Sequence, residues 1–168
     1  MPSIRRFAQL SRRASLAAVL LALVSGCASV KAPATLAETI AAQPNLSTLN
    51  QLLVSTGLKE TLNGAGPFTV FAPTNEAFKA VPAKTMDALG KDSAGLKAVL
   101  SYHVLPIATR AAEVKNSNAK TLNGATLALS KAGDFVTVES AAVTQADITA
   151  SNGVLHIVDA VLLPPVKK

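Results

Sequence analysis

The chain has 168 residues and a formal net charge of +6 at pH 7. Four of its sixteen basic residues lie before residue 14, whereas all ten acidic residues follow residue 26, so residues 27–168 carry twelve basic and ten acidic groups and a net charge of +2. This near balance removes the main support for nucleic-acid binding, and no nucleic-acid partner is expected.

The N-terminal segment has the composition of an export signal. Arg5, Arg6, Arg12 and Arg13 precede an apolar run, Leu16–Val24, which is much shorter than the roughly 20 residues of a membrane-spanning helix. We therefore predict that residues 1–26 are a secretory signal peptide. The adjacent arginines leave both the general export route and the twin-arginine route open.

A lipid-attachment sequence follows the apolar run. The tetrapeptide Val24-Ser25-Gly26-Cys27 resembles the lipobox of bacterial lipoproteins, and Cys27 is the only cysteine in the chain. We predict lipidation of Cys27, a lipidated tether over residues 27–34 and anchoring in the cell envelope. Because Ala28 rather than aspartate follows the cysteine, this is the outer membrane if the cell has one. The alternative is a plain signal peptide with a free thiol, although exported proteins seldom keep a single free cysteine.

Helices are predicted in the first part of the domain. Thr35 and Glu38 have capping-box spacing at the start of a short helix. Ser47 is the predicted N-cap of a second helix, ending near Gly57, and a further helical turn is predicted over Lys59–Leu62.

The next predicted element is a buried strand over residues 68–71, after which Thr74 or Asn75 caps another helix. Two further helices are predicted near residues 83–89 and 94–101. Gly90 and Gly95 are predicted to mark the breaks around them.

Strand patterns dominate beyond residue 102. Asn123-Gly124 and Asn152-Gly153 predict turns, and residues 131–134 predict a longer loop. Leu127 with Leu129, and Val136 with Val138, have the period-2 spacing of one buried sheet face. Helices followed by strands indicate an α+β domain.

Few residues could support catalysis or metal binding. The chain has two histidines, His103 and His156, without the glycine-flanked nucleophile of a hydrolase, and Asp147 and Asp159 would be metal ligands only if folding brought them together. We predict a protein that is not an enzyme and that uses no metal or cofactor, with both histidines hydrogen-bonded inside the fold.

Three stretches together resemble the fasciclin (FAS1) domain: GPFTVFAPTNEAF at residues 66–78, Tyr102-His103, and NGVLHIVDAVLLP at residues 152–164. The resemblance extends over residues 36–164. It implies a single fasciclin-like domain at residues 35–165, in which helices mainly from the first half pack on a twisted β-sheet or wedge formed by the second half plus one early strand. The predicted core comprises Phe68, Val70, Phe71, Phe78, Leu100, Val104, Leu155, Ile157 and Val161.

The resemblance also implies a role in adhesion or extracellular-matrix interaction, with an extracellular protein or polysaccharide as partner. By the same resemblance, Tyr102 and His103 are candidate binding residues; the alternative is that they pack a helix-to-strand junction, with the hydroxyl and imidazole hydrogen-bonded inside. The competing functions are small-ligand binding or stress sensing at the envelope, and hydrolysis. A large apolar cavity containing His103 or His156 with a perturbed pKa would favour ligand chemistry, whereas an exposed flat patch and ordinary histidines would favour recognition.

Overall fold

The structure is a computed structural model that describes residues 34–165. The predicted signal peptide, Cys27 and all of the tether except Ala34 lie outside the described residues. Helices come mainly first and strands later, so the α+β prediction is confirmed. The helices are α1 (Leu36–Ala41), a 3₁₀ helix (Pro44–Leu46), α2 (Ser47–Ser55), α3 (Leu58–Asn63), α4 (Asn75–Ala80), α5 (Ala83–Lys91) and α6 (Ser93–Tyr102).

Two helix starts are formed by side chains close in sequence, as predicted. Thr35 and Glu38 form a complete capping box at α1, with Glu38 Oε2 accepting from the Thr35 N–H at 2.9 Å. Thr74 Oγ1 accepts from the Ala77 N–H at 3.2 Å and caps α4. Each pairing spans three residues and is therefore visible as a local pattern.

The predicted N-cap of α2 is wrong. Ser47 is the first residue of α2, which the chain enters from the 3₁₀ helix with no side-chain cap at Leu46. Asn75 satisfies this helix start from elsewhere in the fold, because its Oδ1 accepts from the Thr48 N–H at 2.9 Å. Asn75 thus serves α2, and Thr74 alone caps α4.

The predicted helix breaks at Gly90 and Gly95 are also wrong. Gly90 lies inside α5 and Gly95 inside α6, and the break falls at Asp92. The Asp92 carboxylate accepts from the Ala94 N–H at 3.0 Å. A glycine inside a helix costs only about 1 kcal/mol, whereas a capping carboxylate at the junction stabilises a new helix start.

Seven strands form one sheet in the order β2-β1-β7-β6-β5-β4-β3. The pair β1–β7, second and third in this order, is parallel and the other neighbours are antiparallel. The strands are β1 (Phe68–Pro73), β2 (Val104–Leu105), β3 (Ser117–Lys120), β4 (Thr126–Ala132), β5 (Phe135–Val138), β6 (Ala141–Ala150) and β7 (Gly153–Val158).

Glycines allow the two fasciclin motifs to meet at the start of the β1–β7 pair, where Phe68 lies opposite Gly153. A Cβ atom at Gly153 would overlap the carbonyl oxygen of Phe68, and one at Gly66 would overlap that of Asn152. Only glycine therefore permits this close approach of the two main chains.

The turn between β4 and β5 is shorter than the sequence predicted. Lys131 and Ala132 belong to β4, so the predicted loop over residues 131–134 is wrong, and the turn consists of Gly133 and Asp134. Gly133 has a φ of 62°, which a two-residue hairpin turn favours. Strand β6 contains register shifts between Val143 and Ile148.

Two hydrophobic cores share the sheet. The first lies between the helices and strands β1, β2 and β7, and the second gathers side chains from β1, β2, β4, β5 and β7. The Leu122 N–H, just after β3, donates to the Val104 carbonyl of β2 at 2.8 Å, so the sheet curls and its two edges approach each other. Seven of the nine predicted core residues are buried, whereas Phe68 and Val161 are partly buried.

Candidate functional site at the Tyr102–His103 junction

Tyr102 and His103 lie where the helical layer passes into the sheet. Tyr102 is the last residue of α6, His103 is its C-cap, and β2 begins at Val104. The Phe71 N–H of β1 donates to the His103 carbonyl at 2.9 Å, which fixes the end of α6 against the central strands. The dipeptide therefore occupies a junction between both cores.

The His103 imidazole is enclosed and has both nitrogens occupied by the main chain. Its exposed fraction is 1%. Nδ1 lies 2.8 Å from the Val99 carbonyl oxygen, and Nε2 lies 3.0 Å from the Leu162 nitrogen and accepts its N–H. The ring is thus a neutral tautomer with its proton on Nδ1. Burial lowers the pKa of His103 to about 4, because the charged ring would lose its hydration.

The Tyr102 ring is equally enclosed, with an exposed fraction of 2%. Its hydroxyl lies 2.9 Å from the Thr126 carbonyl oxygen and 3.1 Å from Glu139 Oε1, so it donates towards both. Glu139 sits in the β5–β6 turn with a φ of 54°. Burial and then the Glu139 carboxylate raise the pKa of Tyr102 to about 12, so the hydroxyl stays protonated.

His156 on β7 is also hydrogen-bonded to the main chain through both ring nitrogens, with donor and acceptor reversed relative to His103. Its Nδ1 accepts the Asp147 N–H at 3.2 Å, and its Nε2 donates to the Thr109 carbonyl at 2.9 Å. The ring stacks on Phe71 with centroids 5.5 Å apart. Burial lowers the pKa of His156 despite opposing contributions from Thr109 and the Asp147 carboxylate. The neutral ring thereby fastens the chain after β2 to the sheet.

The two aspartates considered as metal ligands serve separate main-chain contacts. Asp147 Oδ1 accepts from the Ala111 N–H and Asp159 Oδ1 from the Ala142 N–H, each at 2.8 Å. Among residues 34–165, no group of three or more histidine, cysteine, aspartate or glutamate side chains could hold a metal ion.

Thr69 is a structural contributor that the sequence did not reveal. This buried side chain of β1 donates from Oγ1 to the Ile107 carbonyl at 2.7 Å and accepts the Thr109 N–H at 2.8 Å. The one feature of the sequence that could have indicated this role is a threonine hydroxyl within the otherwise apolar strand β1, since a buried hydroxyl needs a hydrogen-bond partner. With His156 and Asp147, it holds the segment after β2 in place.

Three cavities border this framework, with volumes of about 690, 510 and 450 Å³. Tyr102 borders the second of them together with Glu139, Ser140 and Leu163. Neither histidine lines any of the three. The feature expected of a ligand-binding or hydrolytic protein, a large apolar cavity with a histidine in it, is therefore not found among these cavities.

Residues 44–164 match the sequence profile described as the Fasciclin domain. The chain belongs to the fasciclin family. Fasciclin relatives share the sequence well beyond the three motifs: Protein sll1483 of Synechocystis sp. is 42% identical over 135 residues, covering 78% of this chain and 74% of that protein. The Cell surface glycolipoprotein MPB83 of Mycobacterium bovis is 37% identical over 127 residues, covering 73% of this chain and 57% of that protein.

The fold is likewise that of the family. The structure of a FAS1 domain pair from the insect cell adhesion molecule Fasciclin I superposes with a TM-score of 0.61 at 22% identity, over 73% of this chain and 46% of that one. The predicted single fasciclin domain, with helices first and one early strand joining the later sheet, is confirmed. Within the described residues, no helix combines the length and hydrophobicity needed to cross a bilayer.

A binding role for Tyr102 and His103 stays a prediction. Both side chains lie beneath the surface with their polar atoms hydrogen-bonded, as the packing interpretation requires. A surface partner would meet the residues around them rather than the two rings themselves.

Proposed function

We propose that this fasciclin-family chain is an exported, lipid-anchored protein whose folded domain is a non-catalytic recognition module for cell-surface adhesion or extracellular-matrix interaction. The observation that carries the proposal is the complete engagement of both histidines: all four ring nitrogens bond to main-chain atoms. A general base needs a free nitrogen within reach of a substrate, and neither ring offers one.

The relatives support the surface location. One of them is named a cell surface glycolipoprotein, and the matched solved structure comes from a cell adhesion molecule. Together with the lipobox-like sequence before Cys27, these names favour an anchored surface protein over a freely diffusing one.

Anchoring at Cys27 would limit how far the domain extends from the membrane. The Ala34 carbonyl accepts the Ser151 N–H at 2.9 Å, so the described chain begins beside the β6–β7 turn. Seven residue steps separate Cys27 from Ala34 and span roughly 25 Å at most, so this turn would lie within that distance of the lipid attachment.

Cys27→Ser is expected to abolish lipid attachment, because the thiol that would carry the lipid is replaced by a hydroxyl. The wild-type protein should fractionate with membranes and have the mass of a lipidated chain, whereas the variant should accumulate as precursor or leave the membrane fraction. Ser25→Ala, which keeps the thiol and a small residue before it, is the matched control. Unchanged mass and fractionation of Cys27→Ser would contradict lipidation.

Deletion of the protein is expected to reduce surface attachment and biofilm formation. Complementation with the wild type at matched abundance should restore attachment, and complementation with Cys27→Ser should not, because the released domain no longer links the cell to its partner. Attachment unaffected by the deletion would reject the adhesion role.

Recognition ranks ahead of small-ligand binding because the 690 Å³ cavity is lined largely by small residues and main chain, with Arg110 and Glu113 as its charged groups.

A further inference from the structure

The curled sheet leaves a gap between its two edge strands. We call this gap the seam: the space between residues 106–109, which follow β2, and strand β3 (Ser117–Lys120). One main-chain hydrogen bond, from Leu122 to Val104, joins the edges just beyond β3. Alongside β3 the edges are separated by the cavity of about 450 Å³.

Main-chain groups of β3 face the seam without a strand partner. Among the strands of residues 34–165, β3 pairs only with β4, and the Thr121 N–H donates to the Ala125 carbonyl at 2.9 Å. Hydrogen-bonding sites alternate along an antiparallel pair, so Ser117 and Ala119 bond to β4 while the N–H and C=O groups of Asn118 and Lys120 point into the seam. Such an edge is a template for one more strand.

The floor of the seam is apolar and its rim is basic. Val114, Ala119 and Leu129 line the inner side and belong to the second core, and Ile107 lies at the opening with 49% of its surface exposed. A strand in this position would turn every second side chain towards that floor and the others outward.

Two lysines give the rim its charge. Lys115 and Lys120 are exposed and line the seam. Within residues 34–165 the one salt bridge joins Lys79 to Glu76, so neither rim lysine has an acidic partner there. Glu113, the acidic residue of the lining, accepts the Arg110 main-chain N–H at 3.1 Å and keeps its negative charge, so two lysines face one carboxylate. The remaining net positive charge favours acidic side chains on the outer face of an added strand.

We propose that the seam binds an extended acidic segment of a partner protein, which adds to β3 as an extra strand with apolar side chains inward and carboxylates outward. The proposal deepens the recognition function above, on which it rests, by naming the class of partner. A second copy of this chain fits less well, because antiparallel pairing of two β3 strands would bring four rim lysines together within roughly 20 Å.

Binding is tested with the full-length exported protein, purified from the producing cells, and labelled eight-residue peptides in which Val, Ile or Thr alternates with Glu. Fluorescence anisotropy gives the Kd, and hydrogen exchange locates the protected amides. Asn118→Pro removes a seam-facing N–H at an edge position where proline is tolerated, and Asn118→Ala keeps that N–H. Lys120→Glu reverses a rim charge, with Lys84→Glu on α5 as its control. Thermal unfolding checks that each variant is folded.

Wild-type protein is expected to bind at least one peptide and to protect the Asn118 and Lys120 amides. Asn118→Pro and Lys120→Glu should each weaken binding at least tenfold, and the two controls less than twofold. If Asn118→Pro does not fold, Lys120→Glu and the exchange pattern decide. Absence of binding by every peptide, protection elsewhere, or concentration-dependent dimerisation that protects these amides without peptide would overturn the proposal. Because the assay uses purified protein, its failure is separate from a failure of the attachment assay.

Discussion

Replacing Phe71 with alanine is expected to lower the free energy of unfolding by about 3 to 5 kcal/mol. The ring is 1% exposed in the second core and stacks on His156. Its loss leaves a cavity under a histidine that itself fastens the segment after β2. A domain of this size is stable by about 5 to 15 kcal/mol in total, so the variant should lose a large share of its stability.

The matched control is Phe135→Ala, the same chemical change at a side chain that is 78% exposed beside the β4–β5 turn. It should alter the free energy of unfolding by less than about 0.5 kcal/mol. Urea titrations followed by circular dichroism give both values. Similar denaturant midpoints for the two variants would show that Phe71 does not stabilise the core.

Acidification from pH 7 to pH 4 is expected to remove about 3 kcal/mol of stability through His103 alone. The folded-state pKa is about 4, below the usual value of 6.5, so the unfolded chain binds the proton more readily. The stabilisation is complete above pH 6.5 and is lost as pH falls towards 4. Protonation would also place a hydrogen on Nε2, which then could no longer accept the Leu162 N–H, and that hydrogen bond would be lost.

The control for this effect is His103→Gln, which cannot titrate in this range. The variant should be less stable than the wild type at pH 7 but should lose less stability between pH 6.5 and pH 4, measured by urea titration at each pH. Its remaining pH dependence includes His156, whose lowered pKa acts in the same direction. Equal losses in the two proteins would mean that His103 titrates alike in the folded and unfolded states.

The sequence predicts features whose interacting residues lie close together along the chain, and it does not predict features whose interacting residues lie far apart. The Thr35 and Thr74 caps join groups three residues apart, and the paired leucines and valines of β4 and β5 follow a two-residue period, so both are visible locally. Asn75 caps a helix start 27 positions earlier, and no local pattern carries that information. The placement of the helix break at Asp92 was missed because two glycines gave a stronger local signal.

The candidate site shows the same limit. Motif resemblance located Tyr102 and His103, and the residue types predicted buried hydrogen bonds. Their partners lie far along the chain, Glu139 at 37 positions from Tyr102 and Leu162 at 59 positions from His103. The hydrogen bonds to both imidazole nitrogens, and the seam between residues 106–109 and β3, depend on how the sheet curls and become visible only in three dimensions.

The parallel pairing of β1 with β7 imposes an order on biosynthesis. Phe68 of β1 can pair with Gly153 of β7 only after β7 has been synthesised. The Leu36 N–H at the start of α1 likewise bonds to the Asn152 side chain 116 positions later. The parallel pair therefore cannot form until β7 has been synthesised, 85 positions after β1, whereas the antiparallel pairs β1–β2, β3–β4 and β4–β5 do not require β7. On the proposed export, a channel that threads unfolded chains would deliver β7 after β1, and the parallel pair would then form on the far side of the membrane.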